Sequence, residues 1–416
     1  MHRTLLGMVF FCFLAWIMSS NRKRFPLRIT LVGLSLQILL GGVILQTTYG
    51  RTFFETLSSF VIKIITMAKP GTALVFGQLA EADGPVGPVF AFLGTGLPVI
   101  IFFSAFMSVL YHLRIMQILI FAMARIMKMS LGVSGAESMA MAANVFLGQT
   151  EAPLVVRPYL EKMTRSELNA MMTGGFATIA GSVLALYIAL LGTDFGVHIL
   201  AASVMSAPAA FVIAKIMQPE TEIPATGGGI QLQQLQFENK AHNVIEAAAN
   251  GTTDGLKLWL NVLAMLIAFM GLVALINWPL QYFGAMAGLD SLSLQSVFGW
   301  ILAPVAWFIG IETSDCIQFG SLLGTKIALN EFVAFTELQA LVAENSEISF
   351  RNKRSAEIAT YALCGFANFA SVGIQMGGLT PLAPGRKSEI AGLALRAMAG
   401  GAMASWMTAT VAGMFL

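Results

Sequence analysis

Residues 29–47 and 257–278 run about twenty positions with almost no charge, and several other stretches read the same way. A helix of roughly 20 apolar residues is long enough to cross a bilayer. No water reaches a free N–H or C=O at that depth, so a spanning segment must satisfy its own backbone. The chain therefore reads as an all-α polytopic membrane protein. Composition agrees: of 416 residues, 56% are hydrophobic and 11% charged, against about 25% charged in soluble domains. The formal net charge is +2, so no nucleic-acid footprint is present. The three cysteines, Cys12, Cys316 and Cys364, lie far apart in apolar segments and read as buried free thiols. The four histidines have no ligand spacing.

Against this background one polar island stands out, within residues 144–157. Gln149, Thr150 and Glu151 occur together between Gly148 and Pro153. Glycine tolerates unusual backbone angles, and proline is placed well just inside a new helix. The island reads as helix, broken turn, helix, with an amide, a hydroxyl and a carboxylate at the break. A carboxylate near the midplane costs about 2.5–3.5 kcal/mol or more. Irregular backbone at that depth survives only inside protein or beside a wet cavity. The island is therefore a functional candidate.

In chain order, residues 4–20 read as a retained first helix, because the cluster Asn21-Arg22-Lys23-Arg24 follows the apolar run rather than preceding it. Residues 29–47 return. Residues 51–64 have helical apolar spacing with Arg51, Glu55 and Lys63 between, the pattern of an interfacial helix. Residues 71–87 read as a loop and 89–112 as a span. Residues 115–161 carry basic residues at both ends, which predicts a re-entrant hairpin with Gln149, Thr150 and Glu151 at its tip. Glu137, in its first arm, requires a buried partner that the sequence does not name. Residues 168–191 span with a broken centre, and 195–217 return. Residues 219–255 read as a cytoplasmic connector with a second interfacial helix near Ala241–Ala248. Residues 257–278 span, and 291–350 form a second hairpin carrying Glu331. Residues 356–377 span with a polar centre, and 388–416 close the chain.

An internal repeat sharpens this plan. Gly175-Phe176-Ala177-Thr178-Ile179-Ala180-Gly181-Ser182 aligns with Gly365-Phe366-Ala367-Asn368-Phe369-Ala370-Ser371-Val372. Arg165-Ser166 and Arg354-Ser355 precede the two copies, and each follows a hairpin with a glutamate. Secondary transporters are built from such repeats, with broken helices meeting at the midplane. The span count makes the copies inverted. Arg351, Lys353 and Arg354 then face outside, against the positive-inside rule.

These residues resemble the concentrative nucleoside transporters. The match rests on Gly148-Gln149-Thr150-Glu151-Ala152-Pro153, on Asn330-Glu331-Phe332-Val333-Ala334, on Gly365-Phe366-Ala367-Asn368 and on the stretch from Asn261 to Phe269, and it runs from about residue 70 to the C-terminus. The resemblance implies a homotrimer with eight transmembrane helices, two re-entrant helical hairpins and three interfacial helices per chain. It implies a bacterial, sodium-coupled importer of nucleosides such as uridine in the inner membrane. The expected division is scaffold in 1–113, first transport repeat in 114–192, scaffold and connector in 193–290, second transport repeat in 291–387 and a last helix in 388–416.

The chemistry fits a neutral polar cargo. An amide such as Gln149 matches a donor–acceptor pair on a base, and Glu151 accepts from base N–H groups. Thr150 adds a hydroxyl, and Val183 and Phe366 supply packing. Glu331, Asn368 and Ser371 suit ribose hydroxyls. The expected sodium ligands are Asn144 and Thr178, completed by the carbonyls of Leu147 and Ile179; the resemblance places the family's sodium site between this hairpin and this helix. Alternatives are proton coupling through Glu151 or Glu331, a carrier of another polar solute, an intramembrane enzyme and a passive channel. An enzyme is disfavoured because no Cys–His or His–His grouping occurs. Discontinuous repeats disfavour a channel.

Overall fold

A computed structural model describes residues 2–77, 98–228, 241–286, 288–289, 292–342 and 350–416. Every regular element among them is helical. Helices α1 (His2–Ile17), α2 (Leu27–Gln46), α3 (Thr48–Thr66) and α4 (Lys69–Phe76) open the chain. They are followed by α5 (Val99–His112) and α6 (Ile115–Leu131), bent 75° from each other. Next come α7 (Gly135–Asn144), a 3₁₀ segment (Ala152–Lys162), α8 (Arg165–Ala177), α9 (Gly181–Leu191) and α10 (Thr193–Met217). The second half holds α11 (Val244–Met286), α12 (Leu294–Ile309), α13 (Cys316–Ala328), α14 (Glu331–Val342), α15 (Lys353–Leu363), α16 (Phe369–Leu379) and α17 (Lys387–Ala412).

Several elements are long and apolar enough to cross a membrane: Leu27–Gln46, Thr48–Phe76 and Asp194–Met217, with the bent pair α5–α6 qualifying together. The protein is a multi-pass membrane protein. Its centre is built from small residues, as membrane interiors require for close helix approach. On α17, a Cβ added at Gly401 would lie 2.3 Å from the Phe176 Cβ of α8. On α11, Gly251 and Gly255 bring that helix against the backbone of α5, where added Cβ atoms would come within 2.6 Å of the Ser104 carbonyl and 2.7 Å of the Ile101 Cα. A broad face of α11 stays apolar and exposed, including Ile267, Leu275, Trp278 and Phe283.

Both broken spans are present. The break after α8 covers residues 178–180, and that after α15 covers residues 364–368. Elsewhere the structure departs from the sequence reading. Residues 71–76 are helical, not loop; Pro70 sits in the first turn of α4, where its missing N–H costs nothing. Residues 78–87 of that expected loop, and 89–97 of the next span, lie outside the described residues. The expected interfacial helix near 241–248 is the start of the continuous α11, entered through Asn243, whose Oδ1 accepts from Glu246 N at 2.9 Å. Its 43 residues extend about 65 Å, twice the thickness of a hydrocarbon core. The long first hairpin resolves into a separate α6 plus two short arms, α7 and the 3₁₀ segment. Likewise α12 is separate from the second hairpin, whose arms are α13 and α14.

The basic cluster at 351–354 finds local partners. Arg354 donates to the carbonyl of Gly310 at 3.0 Å and to that of Gly413. These cap α12 and α17, and helix C-termini attract cations. The backbone amides of Arg351 and Asn352 donate to Asp315 at 3.1 and 3.3 Å. Glu137 also gains its partner: Lys215 Nζ lies 2.6 Å from its carboxylate.

Candidate functional site

The first hairpin turns between Asn144, where α7 stops, and Ala152, where the 3₁₀ segment starts with Pro153 in its first turn. Gly148 organises the turn: its carbonyl accepts from the amides of Glu151 and Ala152, both at 3.0 Å. Its own N–H donates to Glu151 at 3.4 Å. The turn is held to the broken span by Gly181 N–H, which donates to Phe146 O at 3.0 Å. It is held to α10 by Ser203, whose hydroxyl donates to Val145 O at 3.0 Å.

Gly175 is where three elements meet. A Cβ there would come 2.8 Å from both Gln149 Cβ and Gln375 Nε2. Glycine is what allows the first turn, α8 and α16 to touch. Gln149 is buried, and its Oε1 has no partner. Thr150 faces Gly378 of α16, where an added Cβ would lie 2.7 Å from the threonine methyl. Gln375 donates to Met172 O at 3.0 Å and leaves its own buried Oε1 unpartnered. Orphaned buried acceptors are costly, about 1–3 kcal/mol each, unless a ligand or water fills them.

The second break is more tightly connected. Glu331 opens α14 and is buried. One carboxylate oxygen accepts from Tyr187 OH at 3.1 Å, the other from Asn368 Nδ2 at 2.9 Å. Asn368 also caps α16, accepting from Ser371 N at 2.8 Å. Tyr187 is fixed by stacking on Phe335, with ring centroids 4.2 Å apart. Val183 is buried one turn before Tyr187, and Phe366 is half-buried in the break itself.

Glu151 is set apart from this group. It lines a cavity of about 270 Å³ with Tyr111, Gln117 and Asp254, bounded by α5 and α11. Leu147 and Ala180 also reach this cavity. At the end of α7, Asn144 Nδ2 donates to Met171 O at 3.2 Å, and its buried Oδ1 has no partner. Thr178 is buried and its hydroxyl donates back to Gly174 O at 2.9 Å, the ordinary habit of a helix-end threonine. Its oxygen still has lone pairs to offer. Buried Leu147 lies in the hairpin turn and buried Ile179 in the break after α8. One orphaned amide oxygen amid irregular backbone suits a cation that prefers oxygen ligands.

Sequence reasoning missed Tyr187, Gln375 and Lys326. Gln375 and Lys326 carried a usable signal, since a polar side chain within an apolar membrane segment is rarely idle. Tyr187 carried none: a tyrosine in an apolar run reads as packing.

Comparison with known proteins settles the class. Residues 198–413 match the family described as Na+ dependent nucleoside transporter C-terminus, residues 6–79 its N-terminus, and residues 93–194 the nucleoside recognition "Gate" family. The chain belongs to the sodium-dependent nucleoside transporter family. It is 43% identical to an uncharacterized transporter of Haemophilus influenzae, over 99% of this chain and 97% of that one. It is 39% identical to the nucleoside permease NupC of Helicobacter pylori, over 99% of this chain and 97% of that protein. Rat sodium/nucleoside cotransporter 1 is 40% identical over 98% of this chain and 62% of its own length. The fold matches CNTnw in an inward-facing substrate-bound state with TM-score 0.91, at 37% identity over 99% of this chain and 97% of that one. It matches CNTnw in an outward-facing state equally well, with TM-score 0.91. Members of this family are transporters, not enzymes, and the two CNTnw states are the two ends of an alternating-access cycle.

Proposed function

We propose that this protein imports nucleosides such as uridine across a bacterial plasma membrane, driven by sodium as co-substrate. The observation that carries the reading is the meeting of the first-hairpin turn, α8 and α16 at Gly175, with unpartnered acceptors on Gln149 and Gln375, beside a Glu331–Asn368 hydrogen bond at the second break. In this reading Gln149, Thr150 and Glu151 recognise the base. Glu331, Asn368 and Ser371 bind ribose hydroxyls, while Val183 and Phe366 pack the rings. Sodium takes the orphaned oxygen of Asn144 with Thr178 and the carbonyls of Leu147 and Ile179. The membrane arrangement we propose has eight spanning helices, two re-entrant hairpins, interfacial helices that include α3, and inverted repeats. Repeat one is 114–192 and repeat two is 291–387; the rest is scaffold, with the exposed apolar face of α11 meeting lipid or neighbouring subunits of a homotrimer.

Labelled uridine uptake into proteoliposomes, with sodium or pH gradients imposed separately, tests the reading. Uptake should require sodium. Asn144→Ala should raise the half-saturating sodium concentration by about tenfold, since one ligand worth about 1.5 kcal/mol is lost, and change uridine affinity far less. Uptake driven fully by a pH gradient without sodium would move coupling to the glutamates. A cysteine replacing Thr150 should change its labelling side with uridine and sodium; labelling from one fixed side under all conditions would argue for a static pore.

A further inference from the structure

The buried stripe of α16 is polar at its centre. Ser371, Gln375 and Leu379 follow one another a helical turn apart, and all three are buried. Gln375 is 1% exposed. Its Nε2 reaches across to α8 and donates to Met172 O at 3.0 Å, and its Oε1 has no partner. One turn before it stands Ser371, on the ribose side of the reading above. Just beyond it Gly378 meets Thr150, where an added Cβ would lie 2.7 Å from the threonine methyl. Gln149 Cβ and Gln375 Nε2 each lie 2.8 Å from the single point that a Gly175 Cβ would occupy. Gln375 is thus seated between the group given to the sugar and the pair Gln149 and Thr150 given to the base.

The two amides in this corner differ in freedom. Gln149 also has an unpartnered buried oxygen, and a terminal amide turns about its last torsion to present either its oxygen or its N–H. Gln375 has no such choice. Met172 O can only accept, so only the Gln375 N–H can face it, and the oxygen is the atom left for a ligand. A buried acceptor with a fixed orientation calls for an N–H or O–H donor. An exocyclic amine on a base supplies two N–H donors on one atom. A ring carbonyl in the same place sets oxygen against oxygen.

We propose that Gln375 is a specificity-determining residue that selects nucleosides with an exocyclic amine on the base, cytidine and adenosine, over their keto counterparts, uridine and inosine. The amine gives one N–H to Gln375 Oε1 and the other to Gln149 Oε1. Uridine and inosine are carried with Gln149 turned to donate, and they bind more weakly because the Gln375 oxygen stays unpaired. The proposal rests on the nucleoside reading above and names the base chemistry that its site prefers.

Competition against sodium-driven uptake of labelled uridine or cytidine into proteoliposomes tests it, with ligands that differ by the amine alone. Cytidine is compared with pyrimidin-2-one riboside, and adenosine with purine riboside. In whichever ring class inhibits, the amine-bearing member should do so at about tenfold lower concentration, since two hydrogen bonds are at stake. Cytidine should likewise outcompete uridine, and adenosine inosine. Gln375→Leu keeps most of the volume and loses the acceptor, so the advantage of the amine should shrink to about threefold. Gln375→Met should shrink it the same way, and the wild-type ratios decide the matter if neither variant folds. Equal inhibition within each pair, or folded variants that keep the wild-type ratio, would overturn the proposal while sodium-driven uptake leaves the nucleoside reading standing. Absence of uptake and of competition by every nucleoside would overturn that reading and this proposal with it.

Discussion

Glu331→Ala should abolish uridine uptake, and Glu331→Gln should reduce it by between about tenfold and more than a hundredfold. The carboxylate accepts one hydrogen bond on each oxygen, from Tyr187 and from Asn368. Glutamine can accept on one side only, and its amide would turn a donor towards a donor on the other. Loss of a charge-assisted bond costs about 1.5–3 kcal/mol, and a stranded buried donor adds about 1–3. The alanine variant strands both donors. Tyr187→Phe removes a single bond and should be milder, within about tenfold. Because Asn368 also caps α16, the variants must elute as folded protein before uptake is compared. Near-normal uptake by folded Glu331→Gln would remove this carboxylate from the proposed substrate site.

Why was that pair legible, and Tyr187 not? Glu331 and Asn368 are expensive in an apolar segment, and the internal repeat placed each on a break. Expense and repetition can both be read from a sequence. Tyr187 gains its role from stacking on Phe335, a contact between segments far apart in the chain. The same distinction separates what the helical periodicity revealed from what it did not. Both broken spans were visible as glycine-rich, polar centres in apolar runs. The corner between α5 and α6 was visible too, where the expected span 89–112 gives way to residues 115–161 at Arg114, the one non-glycine residue with positive φ (64°) among the described residues; that α6 is a helix of its own was not, because its largely apolar run reads as part of the hairpin arm that follows. The continuity of α11 was hidden for the opposite reason. Its first turns, through Gly251, Asp254 and Gly255, look like a polar connector, yet the glycines are where α11 meets α5. Glu151 shows the limit most plainly. It stands next to Gln149 in sequence, yet the turn directs Gln149 to Gly175 and leaves Glu151 in the cavity beside Tyr111 and Asp254.

Lys215→Met should cost about 3–5 kcal/mol of stability, the usual penalty for leaving a buried charge without its partner. Lys215 and Glu137 are each 2% exposed, with 2.6 Å between them. Lys215 also donates to Ser166 at 2.9 Å and approaches Glu220 at 3.4 Å. Around this pair two capping boxes interlock. Ser134 and Glu137 start α7, and Thr164 and Glu167 start α8; the Ser134 hydroxyl bonds Glu167 across the gap. A reciprocal box satisfies two helix-end donors at once, so the network fixes how both helices begin. Asn144 lies at the other end of α7, and Gly175 and Thr178 lie at the other end of α8, so a shift at Lys215 should displace the proposed sodium ligands as well. Glu137→Gln alone should be milder, about 1.5–3 kcal/mol. The double variant Glu137→Gln/Lys215→Met should be more stable than Lys215→Met, because no charge remains stranded. Thermal midpoints of the purified protein in detergent, set out as a double-mutant cycle, measure this directly. A Lys215→Met midpoint equal to wild type, or a double variant that loses the full sum of the two single changes, would show that the pair does not hold the first hairpin to α10.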